Sequence, residues 1–487
     1  MRKVSIALTR CITVLLIAAL VFTTAGCSFG NELERSSPEY IEQIVNPDRS
    51  LFYGETITIA VRYPFFVHPL ALNYMDANPG VTIEVIRHAA GEFEPPTDWG
   101  QVRMEVGTQL MAGSAPTLID SILVDPLDPR QAIFFFDWSK LMAADPDFYQ
   151  DDWFMNVFHA FAIDGRLPLF PIYINYSPIV ANRTIPGLVE ALAEYAEGIT
   201  LSELLQLNRT FSERYPQYHF EETFSSAWIM WYNSEQFIDF ETGRVEFGET
   251  FVNLVTYADS IATPHFNDAW RDMGSMFRGV WSSPREQTKS ERYLFHLDNN
   301  QNYRYFLDFD GDIHLFAGMT PLTNDHGELL IESIDSFLLN ANATPIEKAI
   351  AWDFLMFAMQ PENFRVGQFN SHSSYLQPPN RNLFHHLIRE QLDGDFGNNL
   401  HGEYIYPWFL GTVHEAIDGA IARMTAFAEM PMRATSAHPR IIDEIIADNM
   451  GLFYAGLLSA EQTAQNLQNQ ITLVLMEMDL WQSEGMG

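Results

Sequence analysis

The chain has 487 residues, 47% of them hydrophobic and 14% aromatic, enough material for a core divided over two lobes. Acidic residues outnumber basic ones 63 to 28, and the net charge of −35 excludes nucleic acid as an expected partner, since phosphate recognition needs Lys and Arg. Both cysteines, Cys11 and Cys27, lie near the start, so the rest of the chain has no thiol for a disulfide, a thiolate metal site or a nucleophile.

The first element is "MRKVSIALTR", with Arg2, Lys3 and Arg10 and no acid, followed by the apolar "CITVLLIAALVF" and the small residues "TTAG". Basic start, apolar core and small residues form the layout of a secretory signal. The apolar core is about a dozen residues long, short of the roughly 20 that cross a bilayer as a helix. Thr24-Ala25-Gly26-Cys27 resembles a bacterial lipobox, although Leu is commoner where Thr24 stands. That resemblance implies removal of residues 1–26 and a lipid on Cys27. The mature chain is then expected on the extracellular face of the cell membrane, held by its N-terminal lipid. A permanent anchor helix is the alternative. Residues 27–53 are polar, with little periodicity, and read as a flexible tether.

Order is expected from "ETITIAVRY", where Ile57, Ile59 and Val61 alternate with polar residues as in a half-buried strand. "HPLALNYMDA" reads as a helix stopped by Asn78-Pro79-Gly80, and "VTIEVIRH" alternates again. A helix over "WGQVRMEVGTQLMA", a Gly-Ser-Ala-Pro stop and an apolar strand over "TLIDSIL" repeat the pattern. Strand, helix, strand in this order is the start of a parallel α/β sheet. No internal repeat is visible. In "AIAWDFLMFAM" apolar positions surround Trp352 on a helical face, which assigns it to the core.

Along the chain "DANPGVTIEV", "LMAGSAPTLID", "DWSKLMAADPDF", "DGRLPLFPIYINYSPIVAN" and "TLSELL" follow one another, then "FIDFETGRVEFGETFVNLVTYADSI", "MTPLTNDHGELL", "ATPIEKAIAWDFLMFAM" and "GLLSAEQTAQNLQNQI". In order and spacing this series resembles the extracellular solute-binding proteins (family 1) of bacterial ABC importers, the carbohydrate-type group that includes maltose-binding protein. It covers roughly residues 55 to 475. The resemblance implies an α/β, periplasmic-binding-protein-like type II fold, two lobes joined by a hinge with crossing segments. It places lobe 1 at 54–172 and 318–375, and lobe 2 at 173–317 and 376–487. It implies no enzyme and no cofactor, but a monomer that delivers a small-molecule solute, a sugar or oligosaccharide, to permease subunits. The departures are Thr117 where the family commonly has Asp, "GRLPLFP" before the crossing segment, and extra length over about 376–436.

Ligand sites in open α/β sheets lie beyond the carboxyl ends of strands. The loops there carry Tyr63, Phe65 and His68, then Asp120, Ser121 and Asp125, and at the crossing Tyr173, Asn175 and Tyr176. Trp228, Trp231 and Tyr232 fall where sugar-binding relatives place stacking aromatics. Trp281 with Arg285 and Tyr375 with His372 are further loop candidates. Aromatic planes would cover the C–H face of a pyranose, and Asp, Asn and Arg would take its hydroxyls. Packing is the competing role for Trp228 and Trp231, one helical face apart, and turn capping for Asp125. "DFDGD" (Asp308, Asp310, Asp312) lacks the closing Glu of a calcium loop and reads as a hairpin turn. His385-His386 and "VHEAID" lack metal-ligand spacing, so no metal is expected. A surface-anchored carbohydrate hydrolase and a ligand-binding partner of a sensor kinase remain as alternatives.

Overall fold

The period-two run of Ile57, Ile59 and Val61 does form a strand, and it lies at the centre of the first lobe. The computed structural model describes residues 37–64, 67–89, 97–163, 165–176, 178–218, 234, 236–240, 242–261, 294–297, 316–363, 377–398, 410–434 and 439–485. A short helix, α1 (Pro38–Val45), precedes β1 (Thr56–Val61), α2 (Val67–Ala77), β2 (Thr82–Arg87), α3 (Trp99–Ala112) and β3 (Leu118–Asp120). β1 lies parallel to both β2 and β3. The stop after α2 uses Gly80 at φ +103°, whose carbonyl accepts from Gly54 N at 2.7 Å, while α3 ends on the left-handed Gly113. Then come α4 (Pro129–Ala132), α5 (Trp138–Ala144), α6 (Met155–Ala160) and β4 (Leu169–Tyr176).

The second lobe begins with β5 (Pro178–Asn182), α7 (Leu188–Ala193), β6 (Ile199–Thr200) and α8 (Leu201–Arg214). A hairpin of β7 (Ile238–Asp239) and β8 (Arg244–Val245) follows, then α9 (Glu249–Ile261), β9 (Phe295–Leu297) and β10 (Phe316–Thr323). The chain returns along β11 (Leu329–Leu339) to α10 (Pro345–Ala358), α11 (Arg381–Asn398), α12 (Leu410–Ala428) and β12 (Met432–Ala434). It ends in the second lobe with α13 (Arg440–Tyr454) and α14 (Ala460–Gly485). The main sheet has the order β2-β1-β3-β11-β10-β5-β9, with β4 and β12 also on β11 and β6 on β10.

The large apolar cluster of the first lobe contains Ile57, Ile59, Leu118, Phe170, Phe337 and Leu355, all at most 2% exposed. Trp352 belongs to it as expected, and its indole N–H donates to Asp145 Oδ2 at 2.6 Å. α10 starts on a capping box, Thr344 with Glu347, and carries Pro345 in its first turn. The second lobe has two clusters, one around Leu188, Leu204 and Leu322, the other around Phe251, Ile446 and Leu467. Leu254 of α9 packs against both and joins them.

Two expected boundaries differ from the structure. The first is the tether over 27–53, because residues 37–52 are already folded. Ser37 caps α1, Ile41, Ile44 and Phe52 are buried, and Tyr40 OH accepts from the buried Lys348 at 3.0 Å. Lys348 Nζ also donates to the carbonyls of Ala341 and Ala343, so the ammonium is satisfied by that tyrosine together with the loop before α10. The second is the placement of everything after 376 in lobe 2. Leu383, Phe384, Ile388, Ala420 and Met424 of α11 and α12 are buried in the first-lobe core, and only α13 and α14 join the second. The apolar faces of that longer segment find their partners across α6 and β4, which local sequence does not reveal. The Asp308–Asp312 hairpin lies outside the described residues.

The packed N-terminal segment has a measurable consequence. A chain beginning at Glu55 should be less stable than one beginning at Ser28 by on the order of 5 kcal/mol, at about 1.5–3 kcal/mol per buried large side chain. Urea unfolding of the two compares them directly, and equal stabilities would mean that residues 37–53 are a passive leash.

Candidate functional site

Where the carboxyl ends of β1 and β3 meet the middle of β11, the molecule leaves a cavity of ≈ 340 Å³. Arg62, Ser121, Ile122 and Asp125 form one wall, Glu332, Ser333 and Ser336 of β11 the floor, and Arg440 and Asp443 of α13 the wall from the second lobe. Phe161, Ile163 and Leu169 give it an apolar side. Regular strand geometry would send Glu332 and Ser333 to opposite faces. The pairing of β11 with β4 slips between Ser333 and Asp335 and again between Asp335 and Ser336. These irregularities re-aim the side chains, so that Glu332, Ser333 and Ser336 all reach the cavity.

Buried Asp120 organises the first wall. One carboxylate oxygen accepts from Arg62 N at 3.0 Å and the other from Ile122 N at 3.1 Å, which caps the turn that presents Ser121. Burial pushes its pKa up, and those hydrogen bonds with the Arg62 and Arg440 charges oppose the rise. Ser121 Oγ meets Ser336 Oγ at 2.6 Å. Asp125 accepts from Leu127 N at 3.1 Å, closing its own turn, and from Arg440 N at 2.8 Å. Capping and cavity lining are therefore combined in this one residue. The Arg440 guanidinium donates to Ile122 O at 2.9 Å and Ser121 O at 3.4 Å, so the first turn of α13 clasps the loop after β3. Burial lowers the pKa of Arg440, and its neighbour Arg103 adds to the effect. A second link between the lobes, Arg103 to Glu444 at 3.5 Å, is exposed and worth at most about 1 kcal/mol.

Two carboxyls on β11 are strongly perturbed. Withdrawal from water, reinforced by Asp443, pushes Glu332 up to about 7. Withdrawal from water and the charge of Asp120 push Asp335 up to about 7, against the pull of Arg62. Arg62 keeps its Nε–H buried with no acceptor among the described residues, and its guanidinium stands 5.3 Å over the Tyr63 ring. The cavity thus offers hydroxyls, carboxyls and guanidinium donors on one side and an apolar surface on the other. A polyhydroxylated solute needs both. Among the described residues no cluster of three His, Cys, Asp or Glu is arranged to hold a metal ion.

Of the residues singled out in the sequence, Ser121 and Asp125 line this cavity. Tyr63 stands beside it, 43% exposed. Tyr173 and Tyr176 do not line it: they lie on opposite faces of β4, and both are buried because the first-lobe core covers both faces of that strand. Asn175, between them, pairs in register with Glu332 and is not part of the wall. Phe65, Trp228, Trp231, Tyr232, Trp281 and Tyr375, with Cys27, lie outside the described residues. Sequence reasoning missed Arg62, Glu332, Ser333, Ser336, Arg440 and Asp443. The signal available was "IESIDSF", where two acids and two serines interrupt an apolar strand.

No protein-family model and no curated protein sequence matches the chain. Solved structures do. The sugar-binding protein MalE from Xanthomonas citri superposes with a TM-score of 0.54 at 15% identity, over 88% of this chain and 99% of that one. An extracellular solute-binding protein family 1 member from Alicyclobacillus acidocaldarius gives 0.52 at 11%, over 86% and 98%. A periplasmic oligogalacturonide binding protein from Yersinia enterocolitica gives 0.51 at 14%, over 87% and 99%. At these identities the likeness is one of fold, and the fold is the two-lobed α/β architecture of periplasmic binding proteins. Among the described residues no helix is long and apolar enough to cross a membrane.

The raised carboxyls make stability depend on pH with a definite sign. A carboxyl whose pKa is higher in the folded state costs stability once it must ionise, so stability falls as pH rises from about 4.5 to about 7. Glu332→Gln removes that share. It should exceed the parent in unfolding free energy at pH 8 by on the order of 1–3 kcal/mol, with the gap closing at pH 4. Urea unfolding at the two pH values measures it, and a gap independent of pH would mean that Glu332 titrates normally.

Proposed function

We propose that this chain is an extracellular solute-binding receptor that captures a small polar solute, an oligosaccharide by preference, between two lobes and hands it to the permease of an ABC importer. The observation that carries the reading is the interlobe cavity. It lies beyond the carboxyl ends of parallel strands, is walled by both lobes, and is floored by a strand that they share. Closure of two lobes by a few hinge residues is a known means of burying a ligand. The chain passes between the lobes after β4, after β10 and after β12, as a hinge of this kind requires. The fold likeness to the Xanthomonas and Yersinia proteins, whose names state a sugar and an oligogalacturonide, supports the ligand class. With the signal at 1–26 and lipid on Cys27, the receptor stands on the outer face of the membrane, a monomer held by its N-terminal lipid.

Small-angle scattering and thermal shift on a panel of maltooligosaccharides, oligogalacturonides, peptides and polyamines test the binding. A saccharide should raise the melting temperature by mass action and reduce the radius of gyration, with no new reducing ends appearing. Hydrolysis products would establish an enzyme instead, and a response to peptides alone would move the ligand class. Mass spectrometry of the native N-terminus should find Cys27 as the first residue carrying a diacylglyceryl group. An intact Met1 would remove the anchor.

A further inference from the structure

Five charged residues line the cavity, and four of them are already engaged. Both oxygens of Asp125 accept backbone N–H groups, from Leu127 and from Arg440. The Arg440 guanidinium is spent on the carbonyls of Ser121 and Ile122, and its charge is set against Asp125, Asp443 and Glu444. Arg62 offsets Asp120 and Asp335. Asp443 has contacts of its own and lies within the field of Arg440. Glu332 is the exception. Among the described residues its carboxyl has no hydrogen bond and no ion pair, and the charge that acts on it most is that of Asp443, of the same sign.

A carboxylate facing a like charge in a partly dry cavity is costly unless a cation or a proton joins it. An anionic solute would add a third negative charge at this point. A neutral sugar would leave Glu332 to hold its own proton. An ammonium group would form a charge-assisted hydrogen bond and relieve the repulsion. An independent feature of the same cavity indicates what the rest of the solute is. The buried Nε–H of Arg62 has no acceptor among the described residues and can donate to a ring or hydroxyl oxygen, while Ser333, whose hydroxyl donates to Asp335 O at 3.3 Å, and the Ser121–Ser336 pair keep lone pairs for solute hydroxyls. Ile122, Phe161 and Leu169 offer a surface for C–H groups. The net charge of −35 favours approach of a cation.

We infer that the solute carries a protonated amine, as in an oligomer of an amino sugar, and that Glu332 of β11 is the specificity-determining residue that receives the ammonium group. This rests on the receptor reading above and narrows its substrate class.

Isothermal titration calorimetry on the full mature chain tests it with three probes: glucosamine oligomers, N-acetylglucosamine oligomers and maltooligosaccharides. The amine and its acetylated form share a sugar skeleton and differ in charge at one nitrogen. Glucosamine oligomers should bind at least tenfold tighter than the acetylated ones, about 1.4 kcal/mol. Glu332→Gln should erase that ratio by weakening the glucosamine oligomers to the affinity of the acetylated ones. If neutral oligomers bind as tightly as the amine, or the Gln variant keeps the preference, the amine assignment is overturned and the receptor stands. If no saccharide binds, both readings fall. Should the variant not fold, the comparison of the two glucosamine forms on the parent chain decides alone.

Discussion

Strand β11 has its first residues, Leu329 to Ile331, paired with β12, and near its end Phe337 and Leu338 held between β3 and β4. Its alternation places Leu330 in a second-lobe core and Leu329 and Ile331 in the first. A strand committed to two cores cannot slip, because a shift of one residue would exchange every side chain between them. Its middle, Glu332 to Ser336, therefore sits where the lobes meet, and that is also where its pairing with β4 becomes irregular. The cavity follows from this constraint. It is the space left where two cores diverge from one shared strand.

The polar groups around that space show how the fold supports charge there. Asp120 and Asp125 each satisfy two backbone N–H groups, and Arg440 satisfies two carbonyls of the loop between them. Hydrogen bonds to charged groups contribute about 1.5–3 kcal/mol each when both partners are present, and leaving one partner buried alone costs as much or more. The loop after β3 and the start of α13 thus hold each other in position. Any separation of these two walls would have to break Arg440 away from Ser121 and Ile122. Glu332 and Asp335, by contrast, have no such partners among the described residues, and withdrawal from water raises their pKa values unopposed by hydrogen bonds.

Much of the first lobe was legible because local signals and tertiary structure agree there. The alternation of Ile57, Ile59 and Val61, the Asn78-Pro79-Gly80 stop and the Gly113 cap all act within a few residues. Ser121 and Asp125 were legible by position, as loop residues after a strand. What failed depends on distant contacts. α1 has only eight residues and holds because Lys348, 308 residues away, bonds to Tyr40. Arg440 meets Asp125 across 315 residues of sequence, and no local pattern announces such a contact. Tyr173 and Tyr176 looked like cleft aromatics because they flank a crossing, yet β4 is buried on both faces and turns them into the core. The two acids of "IESIDSF" were visible as letters, but their meaning requires knowing that β11 is shared.

An interlobe site on β11 is tested most directly by hydrogen–deuterium exchange with and without a saturating saccharide. Binding there should slow exchange in residues 120–127, 332–336 and 440–443, three segments far apart in sequence that share one cavity. Protection confined to other segments, or none while the saccharide demonstrably binds, would contradict it.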